Sequence, residues 1–500
     1  MVDKISTSSE AASQVVALTF PVDKHPRTSE LNNRVLSIAA KDGYQLYLVG
    51  GYVRDALLNK VNGAAKDLDY AVAHRDGRSK PAMELATSLA AQLDAHYVPL
   101  DQKNDTARIV LKTGEVVDLA GCVGGSIESD ITRRDFSVNA LFWDPEQPEK
   151  IIDKVGGLAD LENLSIRAIS EKSIIDDPLR MLRAFRFSAT IGATIEKQTL
   201  EWITKHRELM KDVAAERINY ELFLTLAVRN CSQSVVPLAN SGLLEVIFPE
   251  LVETRRVTAN AFHHLGLFEH SIETIPQLES RYSELDSWVR TAAEQDLSFG
   301  VSRLAATKLA CILHDIGKPS TWDITPEGRH TFYGHDKVGA DMCVIAAERM
   351  KWARPVEKFI VDLVKWHLRP GALFHQGPPT DRAVRRFYRS IQGDLPELML
   401  LAFADLGATR GPGLMGENRT GLEKSLLELL NGYTLYKEES SQRPKLMTGT
   451  DVMQLLSIKP GPVVGQLLTA LEEAQEFKEV LNLADAEAFV KTHYLQKYSK

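Results

Sequence analysis

Cysteine is scarce and scattered in this 500-residue chain: Cys122, Cys231, Cys311 and Cys343, none of them in a C-x-x-C pair. That usage argues against a disulfide framework and a zinc knuckle, and it fits a reducing compartment. Long apolar runs are missing too; none reaches the length of a membrane span. The opening "MVDKISTSSEAASQVVALTF" lacks the basic n-region and apolar stretch of a signal peptide, so the expected location is cytoplasmic, with no membrane partner. Positive charge is not in excess: 59 Lys and Arg face 67 Asp and Glu, a formal net charge of -8. This excludes indiscriminate polyanion binding but leaves room for a local basic patch. No internal repeat is visible. What remains is 44% hydrophobic and 25% charged, an ordinary globular composition, at a length that calls for more than one domain.

The patterning changes along the chain. Residues 1–35 are Ser-rich and then irregular ("FPVDKHPRT"), and read as an arm. Further on, "YQLYLVGG" and "LDYAVA" predict short strands, "VRDALLN" a helix turn, and "ARIVLKTGEVVDLAG" a hairpin about Thr113-Gly114. From Asp176 apolar residues recur at three and four, and helix dominates to Tyr494. The expected architecture is α+β: a small sheet-and-helix head (36–170), a helical neck and body (171–255), a second helical domain (256–440) and a helical tail (441–500).

Chemistry-bearing residues gather in the head. Gly50 and Gly51 follow a predicted buried strand and precede a helix, where backbone N–H groups approach a phosphate and the helix dipole favours it. Arg54, one turn on, has the reach to pair the same anion; a plain strand-to-helix turn explains the same residues. Asp67 and Asp69, at i and i+2, share one face of a strand, and two carboxylates so placed repel unless a cation such as Mg²⁺ lies between them. An exposed acidic strand end is the bland reading, and Asp118 on a neighbouring strand is a candidate third carboxylate. "TRRDFSVNALFW" gathers Arg133, Arg134, Asp135 and Asn139, types that pair phosphate and ribose or simply make a charged helix entry. In "DDPLRMLRAFRF", Asp177, Arg180, Arg183 and Arg186 recur every three residues along one drifting helix face. Such a face suits either an exposed ion-paired helix or a donor and acceptor reading a nucleobase edge.

Taken in order, "GGYVRDALL" with "DLD", "RRDFSVNA", "DKVGGLADL", "DDPLRMLRAFRF", "ERINYELF" and "SGLLEVIFPEL" resemble the class II tRNA nucleotidyltransferase (CCA-adding enzyme) and bacterial poly(A) polymerase family, from Leu46 to Leu251. The resemblance implies a polymerase-β-like nucleotidyltransferase head. It implies template-independent addition of CCA to the 3′ end of tRNA from CTP and ATP, by two-metal nucleotidyl transfer with Mg²⁺ on Asp67 and Asp69. By the same resemblance Gly50, Gly51 and Arg54 hold the triphosphate, Arg134 contacts phosphate, and Asp135 and Asn139 lie near the ribose. Asp177 and Arg180 select the base, with Arg183 and Arg186 in support. The loop from Asp153 resembles the flexible element that switches C to A addition. Asp176 stands where the family usually has Glu, which bears on base selectivity.

The second helical domain carries histidines at telling positions: His270, His314-Asp315 followed by Gly-Lys, His335-Asp336, His367, and then Asp405. His and Asp recurring on successive helices suit a divalent metal held within a bundle, although a lone His on an apolar face is usually structural. The set resembles the HD superfamily of metal-dependent phosphohydrolases. By that match His270, His314, Asp315 and Asp405 are primary ligands of a divalent transition metal, with His335 and His367 available to a second. "DRAVRRFYR" interleaves arginines with Phe387 and Tyr388, and reads equally as an RNA grip or a solvated helix face. Two alternatives stand beside CCA addition: a poly(A) polymerase or A-adding enzyme of the same family, and an HD phosphohydrolase with a vestigial head.

Overall fold

The structure, a computed structural model, describes residues 14–17, 30–58, 67–74, 80–122, 125–259, 264–391, 393–411 and 416–498. The chain divides into two compact units, one of residues 1–257, 296–309 and 341–357, the other of 258–295, 310–340 and 358–500.

The first unit is built on an eight-stranded mixed sheet. Its strands are β1 (Gln14–Ala17), β2 (Tyr44–Val49), β3 (Asp67–His74), β4 (His96–Asp101), β5 (Thr106–Val110), β6 (Val116–Gly121), β7 (Leu141–Trp143) and β8 (Lys150–Asp153), in the order β1-β8-β7-β2-β3-β6-β5-β4. Most neighbours are antiparallel; β3 and β6 run parallel. The helices here include α1 (Glu30–Lys41), α2 (Gly51–Leu57), α3 (Pro81–Leu93), α4 (Ile127–Ile131), α5 (Gly157–Glu162), α6 (Glu171–Asp176), α7 (Arg180–Ile191), α8 (Lys197–His206) and α9 (Ala215–Ala227). The predicted strands, the helix turn and the hairpin are all present, the hairpin turning through Gly114 at φ +89°. Two segments of the expected arm are regular: β1 pairs with β8, and α1 starts at Glu30.

Alternation along β3 explains its place. Leu68, Tyr70 and Val72 are buried together with Leu85 and Leu89 of α3, which packs across β3, β5 and β6. Register then sets the chemistry. Asp69 pairs with Val49, the last residue before the glycine turn, and on its other side with Asp118. Helix α7 buries Met181, Leu182, Phe185 and Phe187, ends at Gly192 in the left-handed region, and packs against α9.

In the second unit the helix Leu267–Glu284 packs along Leu395–Ala408. The last three helices, Gly449–Leu456, Pro462–Glu476 and Leu483–Tyr498, enclose their own small core around Val452, Leu467 and Leu471. Helix is not the only structure beyond the head. Short pairs form at Ser165–Ile166 with Thr194–Ile195, Asp296–Ser298 with Val301–Ser302, and Asp323–Ile324 with His330–Thr331.

Candidate functional site

A cavity of about 670 Å³ opens in the first unit where β2 turns into α2. It is lined by Gly50, Gly51, Arg54, Asp69, Arg134, Asp135, Asn139, Arg183 and Arg186, nine of the positions singled out in the sequence. Gly50 is a requirement rather than a convenience. Its φ is +81°, and a Cβ there would sit 3.2 Å from Asp69 Oδ2. The Asp67 side chain lies outside the described residues; its backbone pairs with Val116 in β3. Asp118 is engaged by Arg108 through two bonds of 2.7 and 2.8 Å.

One hydrogen-bonded chain ties the cavity wall together. Arg54 donates to Asn139 Oδ1 (2.6 Å), Asn139 Nδ2 donates to Asp135 Oδ1 (3.1 Å), and Arg183 donates twice to Asp135 Oδ2 (2.7 and 2.9 Å). Arg183 and Arg186 also reach Glu221 of α9, a buried carboxylate. Burial pushes the Asp135 carboxyl up, but Arg183, Asn139 and the Phe136 N–H more than offset it and hold the group at about 2. Both Asp135 oxygens are thus engaged by the wall, and Asn139 uses one amide N–H and one carbonyl lone pair on it. The Phe187 ring supports the same cations, with guanidinium carbons of Arg186, Arg54 and Arg183 at 4.0, 4.8 and 5.2 Å from its centre.

Asp177 and Arg180 line an adjoining cavity of about 720 Å³ that shares Thr106, Ala120, Arg134, Asp135 and Arg183 with the first. Arg180 donates to the carbonyls of Arg133, Arg134 and Ser173, which leaves two of its five N–H groups. Asp177 faces Arg217 at 3.2 Å, and Asp176 pairs with Lys172 at 2.6 Å. Asp130, completely buried, holds both Arg133 and Arg134. The segment from Asp153 forms a turn in which the Asp153 carboxylate accepts the backbone N–H groups of Val155, Gly156, Gly157 and Leu158 at the start of α5. Sequence reasoning passed over Asp130, Phe187, Tyr220 and Glu221, of which the last two stand inside the quoted "ERINYELF" without a distinguishing spacing.

In the second unit helix ends converge. His270 is in the first turn of Leu267–Glu284, and His314-Asp315 follow Arg303–Leu313. His335 opens His335–Met350, His367 follows Arg354–Trp366, and Asp405 is in the last turn of Leu395–Ala408. Gly317 lets the His314-Asp315 and His335 segments meet, because a Cβ on it would lie 2.2 Å from the His335 carbonyl oxygen. Three of the imidazoles are pinned alike. Nδ1 of His314, His335 and His367 bonds the carbonyl three residues earlier, at 2.8, 2.7 and 2.6 Å. With Nδ1 donating, each Nε2 is the nitrogen aimed inward, able to ligate a metal once it carries no proton.

Those nitrogens surround Asp315. Its Oδ2 lies 3.2 Å from His314 Nε2, and its Oδ1 lies 3.2 and 3.6 Å from Nε2 of His335 and His367. His270 Nε2 is 3.1 Å from Asp405 Oδ1. The His335 and His367 Nε2 atoms approach to 3.2 Å, a distance that a shared proton or a bound cation can bridge. Burial pulls the His314 imidazole down, but Asp315 and then Asp405 more than offset it and push it up to about 10. The buried carboxylates therefore favour positive charge, which Lys318, 2.5 Å from Asp315 Oδ2, supplies in part. Donor types, convergence and charge all fit a divalent ion in each of two overlapping groups, His270–His314–Asp315 and Asp315–His335–His367.

The arginines of "DRAVRRFYR" are already partnered. Arg382, Arg386 and Arg389 reach Glu473, Arg389 also reaches Glu476, and Arg385 reaches Asp381 and Glu439. Among the described residues no helix is long and apolar enough to cross a membrane.

An aspartate-bearing sheet walled by arginines, ahead of a helical His–Asp cluster, is the arrangement of a nucleotidyltransferase joined to an HD region. Comparison bears this out: residues 46–167 match the poly A polymerase head domain, 192–254 the probable RNA and SrmB-binding site of polymerase A, and 267–406 the HD domain. The chain is 34% identical to an A-adding tRNA nucleotidyltransferase of Deinococcus radiodurans, across 89% of this chain and 94% of that relative. It is 32% identical to a CC-adding tRNA nucleotidyltransferase of Thermus thermophilus, across 88% and 92%. In fold it is similar to a CCA-adding enzyme in complex with CTP, with a TM-score of 0.60 at 20% identity over 94% of this chain and 96% of that one. The Thermotoga maritima CCA-adding enzyme complexed with tRNA gives 0.59 at 21% over 93% and 95%. The chain belongs to the tRNA nucleotidyltransferase and poly(A) polymerase family, and it is a nucleotidyltransferase.

Proposed function

We propose that this chain completes the CCA end of tRNA, transferring nucleotides from CTP and ATP to the RNA 3′-hydroxyl without a nucleic-acid template. The observation that carries this reading is the Asp69 carboxylate set against the glycine turn, in a cavity also lined by Arg54, Arg134, Arg183 and Arg186. Asp67 and Asp69 are the proposed holders of Mg²⁺, which when bound stabilises the attacking and leaving oxygens of such a displacement. The arginines neutralise the triphosphate and departing pyrophosphate. Asp135 and Asn139 hold Arg183 and Arg54 in register for that task. Asp177 and Arg180, in the adjoining cavity, supply an acceptor and two N–H donors for the edge of the incoming base.

A second reading, addition of the terminal A alone, is favoured by the A-adding relative at 34% identity. One assay separates the two: tRNA lacking CCA, and tRNA ending in CC, each incubated with CTP, ATP or both, followed by end sequencing. CCA on the bare substrate supports completion. A added only to the CC-ended substrate supports the second reading, and long A tails overturn both. For the second unit we propose a divalent-metal phosphohydrolase centre on His270, His314, Asp315 and Asp405, with His335 and His367 serving a second ion; it is tested by metal analysis below.

A further inference from the structure

We propose that Tyr220 is the platform on which the last base of the RNA stacks while its 3′-hydroxyl is extended; this rests on the reading above. Helix α9 is tied down on nearly every side. Glu216 pairs with Lys351 at 2.8 Å, Arg217 with Asp177 at 3.2 Å, Asn219 accepts from Trp352 Nε1 at 3.2 Å, and Glu221 holds Arg183 and Arg186. Tyr220 stands among them with 66% of its surface exposed, and it lines the cavity that contains Asp69. A single exposed aromatic elsewhere would need no explanation. This one lines the same cavity as Asp69 and the guanidinium groups of Arg54, Arg134, Arg183 and Arg186.

Elimination sharpens the point. Among the described residues three aromatic rings line that cavity: Tyr70, Phe187 and Tyr220. Tyr70 is 1% exposed, and Phe187 is buried beneath three guanidinium groups. Tyr220 alone among them offers an open face. Tyr220 does not line the adjoining cavity, where Asp177 and Arg180 meet the incoming base. The nucleobase left to stack beside Asp69 is therefore that of the RNA terminus. Stacking suits the task, because the terminal base changes with each addition and a π-face accepts any base.

The test compares wild type with Tyr220→Ala and Tyr220→Phe on tRNA ending in CC with ATP, varying RNA and ATP separately. Tyr220→Ala is expected to raise KM for RNA roughly tenfold, in line with loss of one stacked base, while KM for ATP stays within twofold and Tyr220→Phe behaves as wild type. A rise in KM for ATP instead would move the platform to the incoming base and overturn the proposal. So would an unchanged Tyr220→Ala, or a Tyr220→Phe as impaired as Tyr220→Ala. Wild type that extends no RNA refutes the functional reading, and this inference with it; active wild type with unaltered Tyr220→Ala refutes this inference alone.

Discussion

Asp135 receives Arg183 on a single carboxylate oxygen, at 2.7 and 2.9 Å, across 48 residues of sequence. The pair closes the wall of the cavity that holds Asp69, and breaking it leaves the part-buried Arg183 guanidinium to the longer 3.4 Å contact with Glu221. Asp135→Asn is therefore expected to lower unfolding stability by roughly 3 kcal/mol and to raise KM for nucleotide. Sign follows from the depressed carboxyl, about 2 against an ordinary 3.8. Stability from a depressed group is present above the unfolded value and is lost as pH falls through the folded one, here about 2 kcal/mol over that span. Urea unfolding of both proteins checks this: the gap between them should narrow as pH drops from about 5 toward 3, and a pH-independent gap would refute it.

Gly50 and Gly51 are neighbours with different duties. Gly50 has φ +81° and ψ -138°, a region nearly closed to other residues, and its missing Cβ faces Asp69 at 3.2 Å. Gly50→Ala should lose about 1–3 kcal/mol of stability and nearly all incorporation, because the carboxylate has to shift. At Gly51 a Cβ would meet only Arg54 NH2, at 3.8 Å. Gly51→Ala should keep its melting temperature within about a degree, since exposed substitutions away from special geometry change little. Asp69→Ala should fold normally and incorporate nothing. Thermal unfolding beside a nucleotide-incorporation assay reads all three, and an active Asp69→Ala would defeat the site assignment.

Local pattern made some of this legible in the sequence and long-range pairing hid the rest. Alternation in "LDYAVA" and the Gly-Gly turn were readable because period and punctuation act over a few residues. The same holds for the i+3 arginines of α7, whose face is set by helix geometry. That Arg183 and Asn139 would meet on the Asp135 carboxylate was not readable, because nothing local reveals a partner 48 positions away. Glu221, which meets Arg186 from 35 positions away, carries no spacing signal. In the second unit the histidines were visible, but not their shared tautomer, which depends on carbonyls that only the folded helix ends present.

The histidine cluster makes a prediction about metal. Purified wild type should carry a divalent ion that His314→Ala lacks; equal metal content in both would defeat the assignment of His314. Gly317→Ala should lose metal as well, since its Cβ would collide with the His335 carbonyl and part the two ligand segments. His314 is protonated at neutral pH when the cluster is empty, being raised to about 10. Binding must expel that proton, so metal affinity is expected to rise about tenfold per pH unit near neutrality. Calorimetry in buffers of different ionisation heat measures the release, about one proton per first ion.

Glu476 decides what the arginines of helix Asp381–Ile391 are for. Its buried carboxylate takes Arg389 and faces Arg385 at 3.5 Å, while Glu473 binds Arg389 and the more exposed Arg382 and Arg386. A helix whose cations are already neutralised has little charge left to release counterions from a polyanion. Arg389→Ala should therefore lower unfolding stability by about 1–3 kcal/mol by leaving Glu476 buried and under-paired. RNA affinity, and its slope against salt concentration, should be unchanged. Chemical unfolding beside filter binding at several salt concentrations separates the outcomes. A flatter salt slope at constant stability would restore these arginines to the RNA contact suggested by their spacing.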